Sequence, residues 1–196
     1  MIRTLFISLL AISLFACRKE ENATSTIVAT PVAEDIPVGA IQEAYSNNPD
    51  MVKVTVKDLN DKVTAEGDYL NGKKVGVWLE YNNNGQVTKT ISYVDGLKQG
   101  ATLIMDTQGR VEEKEYYHNG LKHGMYVKYK YNKVVEEIPY ANGKTNGAVK
   151  KYYSNGNIME ESNYSDGVLN GIAKWYDQEG NVTIEYEYED GKLIKK

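Results

Sequence analysis

The chain has 196 residues, with 23 Lys and Arg against 27 Asp and Glu and a formal net charge of −4. That balance leaves no basic field to neutralise phosphates, which weighs against a nucleic-acid partner. A single cysteine, Cys17, rules out a disulfide within the chain.

Residues 1–16 read as a targeting segment. Arg3 supplies a positive start, and the apolar run from Leu5 to Ala16 is too short to span a bilayer. The run ends in Leu14-Phe15-Ala16-Cys17, which resembles a bacterial lipobox. In that class the signal is cut before the cysteine, whose thiol then carries lipid. The resemblance implies a lipid anchor at Cys17 and a place in the cell envelope, at the outer membrane. Lys19-Glu20-Glu21 resembles the Lys-acid-acid export tag of surface lipoproteins; a solvated linker would read the same way.

Residues 17–50 are expected to be the lipidated N-terminus and a flexible tether. Up to about residue 35 the tether is rich in Ala, Thr, Glu and Asn and has no apolar periodicity. Ile36 to Tyr45 is more apolar. Ala40 to Tyr45 reads as one helical turn covering the first edge of the domain that follows.

Residues 51–196 are a repeat domain. Six tyrosines each precede, by three residues, the glycine of an Asn-Gly or Asp-Gly pair: Tyr69, Tyr93, Tyr117, Tyr140, Tyr164 and Tyr188, with Gly72, Gly96, Gly120, Gly143, Gly167 and Gly191. The spacings are 24, 24, 23, 24 and 24 residues. A fixed period in this range marks a repeat architecture. Asx-Gly is also the strongest short hairpin signal, because a type I′ turn needs positive φ at both central residues. Each repeat carries a second, softer turn: Asn60-Asp61, Asn84-Gly85, Gln108-Gly109, Asn132-Lys133, Asn155-Gly156 and Glu179-Gly180. The fold class is therefore all-β: an elongated, single-layer antiparallel meander of about twelve strands in six repeats.

Side chains alternate along a strand, so parity assigns faces. Val87, Ile91 and Tyr93 share a face, as do Val134, Ile138 and Tyr140, and Val182, Tyr186 and Tyr188. Hairpin geometry sets Tyr93 against Lys98, Tyr117 against Lys122 and Tyr164 against Leu169. A further glycine follows each Asx-Gly turn: Gly76, Gly100, Gly124, Gly147 and Gly171. Beyond it, Val77-Leu79-Tyr81, Ala101-Leu103-Met105 and Met125-Val127-Tyr129 have the wrong parity to join the tyrosine face. A one-residue bulge at each glycine would bring them onto it. The other face, with Glu112, Lys114, Glu137, Glu161 and Glu185, reads as solvated charge.

Gly147 to Gly156 followed by Tyr164-Ser165-Asp166-Gly167 resembles the bacterial variant of the MORN repeat, and Leu121-Lys122-His123-Gly124 resembles a segment of MORN units. The likeness covers 52–194. It implies a hairpin array and a scaffold, protein-binding, lipid-binding or regulatory role; some members of this class carry an antitoxin label.

No catalytic constellation stands out. His118 and His123 flank one turn on one face, but a metal site wants a third ligand. The acidic pairs Glu112-Glu113, Glu136-Glu137 and Glu160-Glu161 recur by repeat position, whereas a glycosidase needs one unique pair. No metal, cofactor or enzymatic activity is expected. The candidate binding surface is the tyrosine ladder, Tyr69 to Tyr188, with Trp78 and Trp175. The expected partner is an envelope protein; a toxin or a glycan are the alternatives.

Overall fold

The computed structural model describes residues 36–196, which lie within one compact unit, Pro31–Lys196. The signal segment, Cys17 and most of the tether fall outside the described residues. Among the described residues sixteen strands form one sheet. In chain order they are β1 (Ile41–Tyr45), β2 (Asn48–Lys57), β3 (Val63–Leu70), β4 (Lys73–Tyr81), β5 (Val87–Val94), β6 (Leu97–Met105), β7 (Val111–His118), β8 (Leu121–Lys122), β9 (Gly124–Lys130), β10 (Lys133–Ala141), β11 (Lys144–Thr145), β12 (Gly147–Tyr152), β13 (Ile158–Ser165), β14 (Val168–Tyr176), β15 (Val182–Glu189) and β16 (Lys192–Lys195). Pairing is antiparallel throughout, in meander order with no crossover; β8 pairs with β7 and β11 with β10. β8 and β9 are successive pieces of one strand, as are β11 and β12.

The sheet begins at Ile41, earlier than the boundary expected at residue 51. Ala40 to Tyr45 is not a helical turn: Ile41–Tyr45 is β1, paired with β2 through Ile41↔Thr55 to Tyr45↔Asn48. A strand satisfies its backbone groups on the open edge of β2, which a lone helical turn could not. Ile36 and Ala40 pack against the core cluster, so this segment does cover the first end of the sheet.

All six Asx-Gly turns have positive φ at both central residues, from Asn71 at 52° and Gly72 at 76° to Asp190 at 47° and Gly191 at 78°. The expected pairs Tyr93↔Lys98, Tyr117↔Lys122 and Tyr164↔Leu169 are present. These glycines have a second use. The N–H of Gly96, Gly120, Gly143, Gly167 and Gly191 donates at 2.8–2.9 Å to the carbonyl of Lys74, Lys98, Lys122, Thr145 and Leu169, one repeat earlier. Each turn is thus fastened to the strand that follows the preceding turn.

Four of the six softer turns are four-residue loops built on an Asx side chain; in the fifth repeat Tyr153 takes that place and Asn155 Oδ1 accepts the N–H of Asn157 instead. Asp106 Oδ1 accepts the N–H of Gln108 and of Arg110, and Gly109 takes φ 76°. Asp58, Asn82 and Asp177 do the same, and Asp61 at φ 65° stands where the later repeats have glycine. The short repeat differs. Its turn is Tyr131-Asn132, at φ 51° and 61°, and Lys133 already belongs to β10. Removing one residue turns the Asx loop into a two-residue type I′ hairpin, so the turn sits one place earlier than Asn132-Lys133.

The second glycines do carry bulges, all at positive φ, from 68° at Gly76 to 118° at Gly147. The bulge is larger than expected. Glu66 pairs with Leu79 and Asp68 with Val75, so Gly76, Val77 and Trp78 stand against Gly67 alone. Gln99, Gly100 and Ala101 stand likewise against Ser92, and Asn170, Gly171 and Ile172 against Asn163. Two extra residues leave parity unchanged. Val77, Leu79 and Tyr81 therefore lie on the face away from the tyrosines, and Trp78 joins Tyr69 and Tyr93. Thr102 and Tyr126 take the equivalent inward places in the next two repeats. The bulge also carries Lys74 and Val75 clear of β5, so that the Lys74 carbonyl meets the turn glycine Gly96 instead.

Candidate binding surface

The tyrosine face is assembled from three cross-strand rows. In the first, each tyrosine pairs with the residue after its turn: Tyr69↔Lys74, Tyr93↔Lys98, Tyr117↔Lys122, Tyr140↔Thr145, Tyr164↔Leu169 and Tyr188↔Leu193. The lysines point along the row at the next repeat. The Lys74 ammonium sits 4.5 Å from the Trp78 ring centre and 5.1 Å from that of Tyr93; Lys98 is 5.1 Å from Tyr117; Lys122 is 5.2 Å from Tyr140 and 5.4 Å from Tyr126. Cation–π contact thus joins repeats through the first half of the array. Thr145, Leu169 and Leu193 continue the row without charge.

The second row holds the core. Val54, Trp78 and Ile91 are buried with Tyr69 and Tyr93 in one cluster. Tyr69 and Trp78 meet edge to face at 5.4 Å, and Trp78 Nε1 donates to the Asp68 carbonyl. Farther along, this row places Glu115 at 8 % exposure beneath Lys122. Lys122 Nζ lies 2.7 Å from Glu115 Oε1, and the Tyr117 hydroxyl donates to Oε2 at 2.7 Å. Burial pushes the Glu115 carboxyl up, but Lys122 and Tyr117 together hold it below the ordinary carboxylate value. Burial, then Glu115, raises the Tyr117 phenol.

The third row explains the acidic pairs. Successive residues of a strand face opposite ways, so each pair supplies one carboxylate per face. On the tyrosine face Glu113, Lys128, Glu136, Lys151 and Glu160 stand directly opposite one another in that order. On the other face Glu137, Lys150, Glu161, Lys174 and Glu185 do the same. Ion pairs close at 3.3 Å (Lys128–Glu113), 3.0 Å (Lys151–Glu160) and 3.1 Å (Lys174–Glu185). These charges were expected to be solvated. Most of them are half-buried, because every Glu-Glu pair meets a lysine across the strand or carries a tyrosine hydroxyl.

The predicted aromatic surface is divided along its length. Tyr69, Trp78 and Tyr93 are buried, at 0, 3 and 4 % exposure, and present nothing to a partner. Tyr117, Tyr140, Tyr164, Tyr188 and Trp175 are half-buried. At the last strands the face opens. Trp175 and Tyr186 lie 5.7 Å apart, Tyr186 and Tyr188 6.5 Å apart, and the adjoining Ile184 and Leu193 are exposed. Ile184 and Leu193 escape a search for aromatic periodicity; membership of the tyrosine face and nearness to the sheet end are the signals that find them.

His118 and His123 sit on one face with ring centres 5.8 Å apart, both exposed. Gln99 Nε2 contacts His118 Nδ1, and the Asn142 N–H reaches His123 Nδ1 at 3.5 Å. Among the described residues no group of three metal-ligating side chains comes together.

Three segments, 74–95, 145–166 and 169–190, match the family model described as the MORN repeat variant. These three segments are similar to MORN-variant repeats. Each matched segment starts at a residue paired with a ladder tyrosine (Lys74, Thr145 or Leu169) and ends on the Asx of the next Asx-Gly turn (Asp95, Asp166 or Asp190). The MORN unit is thus one strand, one soft turn and the tyrosine strand. The intervening segments follow the same strand order, with the shorter Tyr131-Asn132 turn in one of them. No curated protein matches the chain. Among solved structures, a chain of a crystal structure of the GtfA/B complex is similar at 14 % identity and a TM-score of 0.30. The match covers 54 % of this chain and 19 % of that one, so this chain spans a small part of its length.

Proposed function

We propose that this protein is a non-enzymatic, lipid-anchored binding protein of the cell envelope, whose MORN-variant sheet holds a protein partner. The observation that carries the reading is the change along the tyrosine face. The same ladder that buries Tyr69, Trp78 and Tyr93 ends in the open group Trp175, Ile184, Tyr186, Tyr188 and Leu193. A patch of half-buried aromatic and exposed aliphatic side chains rimmed by charge has the composition of a protein-docking surface. MORN repeats are often protein- or membrane-binding units, which agrees. The carboxylates that a hydrolase would use are engaged by Lys or Tyr in successive repeats, which favours a structural role for them. The anchor rests on Leu14-Phe15-Ala16-Cys17.

A photo-crosslinker placed at Ile184 in the full-length protein tests the docking face. The expected result is one discrete adduct in envelope preparations, lost when Trp175→Ala and Tyr186→Ala are added. Unchanged labelling in that variant would overturn the assignment. The anchor is tested separately: Cys17→Ser should move the protein from the membrane fraction to the soluble one.

A further inference from the structure

The soft turns form a second row of features, on the face away from the ladder tyrosines. There, Tyr81 donates its hydroxyl to Glu66 at 2.5 Å, Tyr152 to Glu137 at 2.6 Å and Tyr176 to Glu161 at 3.4 Å. These are the same two positions in three different repeats. The intervening copies hold Met105 with Thr90, and Tyr129 with Lys114. A concave notch lies beside the tyrosine in three of these repeats. Lys62, Glu66, Tyr81 and Asn82 to Gly85 line one; Lys133, Glu137, Tyr152 and Asn155 line another; Arg110, Tyr129, Tyr131 and Asn132 line the third.

Bridges between successive soft turns join the notches into a row. Lys62 Nζ donates to the Asn83 carbonyl at 2.9 Å, and Lys133 Nζ to the Ser154 carbonyl at 2.7 Å. Asn155 and Asn157 both donate to the Gln178 carbonyl. The chemistry repeats with the notch: an aromatic ring, a carboxylate in most copies, and a rim of asparagine amides. Two strands at ~4.8 Å spacing set the period at roughly 10 Å.

We propose that this row binds an extended, β-1,4-linked polysaccharide, with one disaccharide to each repeat. A ring face offers an apolar platform to a sugar ring. Carboxylates and amides supply the acceptors and donors that hydroxyl groups require. An extended β-1,4 chain turns the same face outward once per disaccharide, and that length matches the protein period. Tyrosines at one repeat position, three of them bonded to a carboxylate, suit a ligand that itself repeats. The site lies on the opposite face from the Trp175–Leu193 patch, so either assignment can fail alone.

The test is calorimetry on the full chain with chitobiose, chitohexaose, cellobiose and cellohexaose. A hexasaccharide spans the consecutive positions Tyr129, Tyr152 and Tyr176, of which the first two carry notches. For the preferred sugar it is expected to bind about 10²-fold more tightly than the disaccharide, because linked sites act together. Tyr152→Ala should lower that affinity about tenfold, a loss of ~1.4 kcal/mol. Tyr152→Phe keeps the ring and should retain most of it; melting curves of both variants separate lost binding from lost folding. No binding of either hexasaccharide, affinity independent of length, or full binding by folded Tyr152→Ala would overturn the proposal. The crosslink from Ile184 should persist in Tyr152→Ala.

Discussion

The ring of Trp78 lies flat over the backbone of Gly67, so close that a Cβ on Gly67 would fall 2.4 Å from its ring carbons. At the equivalent position one repeat on, the trade is reversed, with Ile91 on the tyrosine strand facing the smaller Thr102; near the other end Ser162 faces Ala173, both small. Large side chains from the bulged strand meet small partners on the tyrosine strand, and the reverse. Gly67 is ordinary strand backbone, unlike the turn glycines, so its role is space alone. Gly67→Ala should cost about 1–3 kcal/mol through overpacking. A urea unfolding midpoint would read this directly, and Gly67→Ala with Trp78→Phe should recover part of the loss.

Thr102 is 1 % exposed, and its Oγ1 has no hydrogen-bond partner. Thr102→Val keeps the shape and removes a buried hydroxyl. It should stabilise the protein by roughly 1 kcal/mol, seen as a higher melting temperature.

The charge rows predict compensation. Lys151 stands between Glu136 and Glu160, so Lys151→Glu replaces two opposite-charge neighbours with two like-charge ones. The expected cost is about 1 kcal/mol or more. Adding Glu160→Lys should restore much of the stability, and the double-mutant cycle should show coupling that weakens in high salt.

Stability should fall in acid and in strong base. Burial raises the Glu115 carboxyl, but Lys122 and Tyr117 bring it below its ordinary value. The Tyr81 hydroxyl and Lys53 lower Glu66, and loop N–H groups lower Asp58 and Asp106. A carboxyl depressed in the folded state contributes stability above its unfolded value, about 4, and loses it as pH falls through the folded value. The urea midpoint should be level from pH ~7 to ~5 and then drop. Tyr81 shifts the other way: burial and Glu66 push its phenol to about 12. That contribution is complete below the unfolded value near 10 and is lost as pH rises through the folded one. Tyrosinate absorbance should show a late-titrating class of tyrosines that merges into one class on unfolding.

Asn132 holds φ 61° in a turn whose other central residue, Tyr131, is at φ 51°. Asn132→Gly relieves the left-handed geometry at one position and makes the pair better suited to type I′. It should raise the melting midpoint slightly, by less than about 1 kcal/mol in free energy.

The turns and their pairings were legible from residues alone, because Asx-Gly fixes both the geometry and the partner two places away. Tyr93↔Lys98 needs nothing beyond the turn. The bulges were legible as to place but not size. Glycine marks where φ becomes positive, yet one extra residue and two carry the same mark, and only pairing with the partner strand separates them. That single count decided whether Trp78 or Val77 faced the core. The opposed charge rows have the same cause: Glu136-Glu137 and Lys150-Lys151 are plain in the sequence, but their opposition appears once β10 and β12 are in register. Tyr81 and Glu66 are separated by an Asx-Gly turn and a bulge, always 15 residues apart, and the unread size of that bulge hid the notch row as well.

The bonds from each turn glycine to the carbonyl one repeat earlier all run the same way, so the array has a direction. Removing the last repeat takes away a donor and leaves the Leu169 carbonyl to water. Removing the first leaves Gly96 hanging with no strand beneath it and strips Ile36 and Ala40 from the core. Shortened from its C-terminus, the protein should remain a smaller version of itself; shortened from its N-terminus, it should come apart like a wall losing its bottom course.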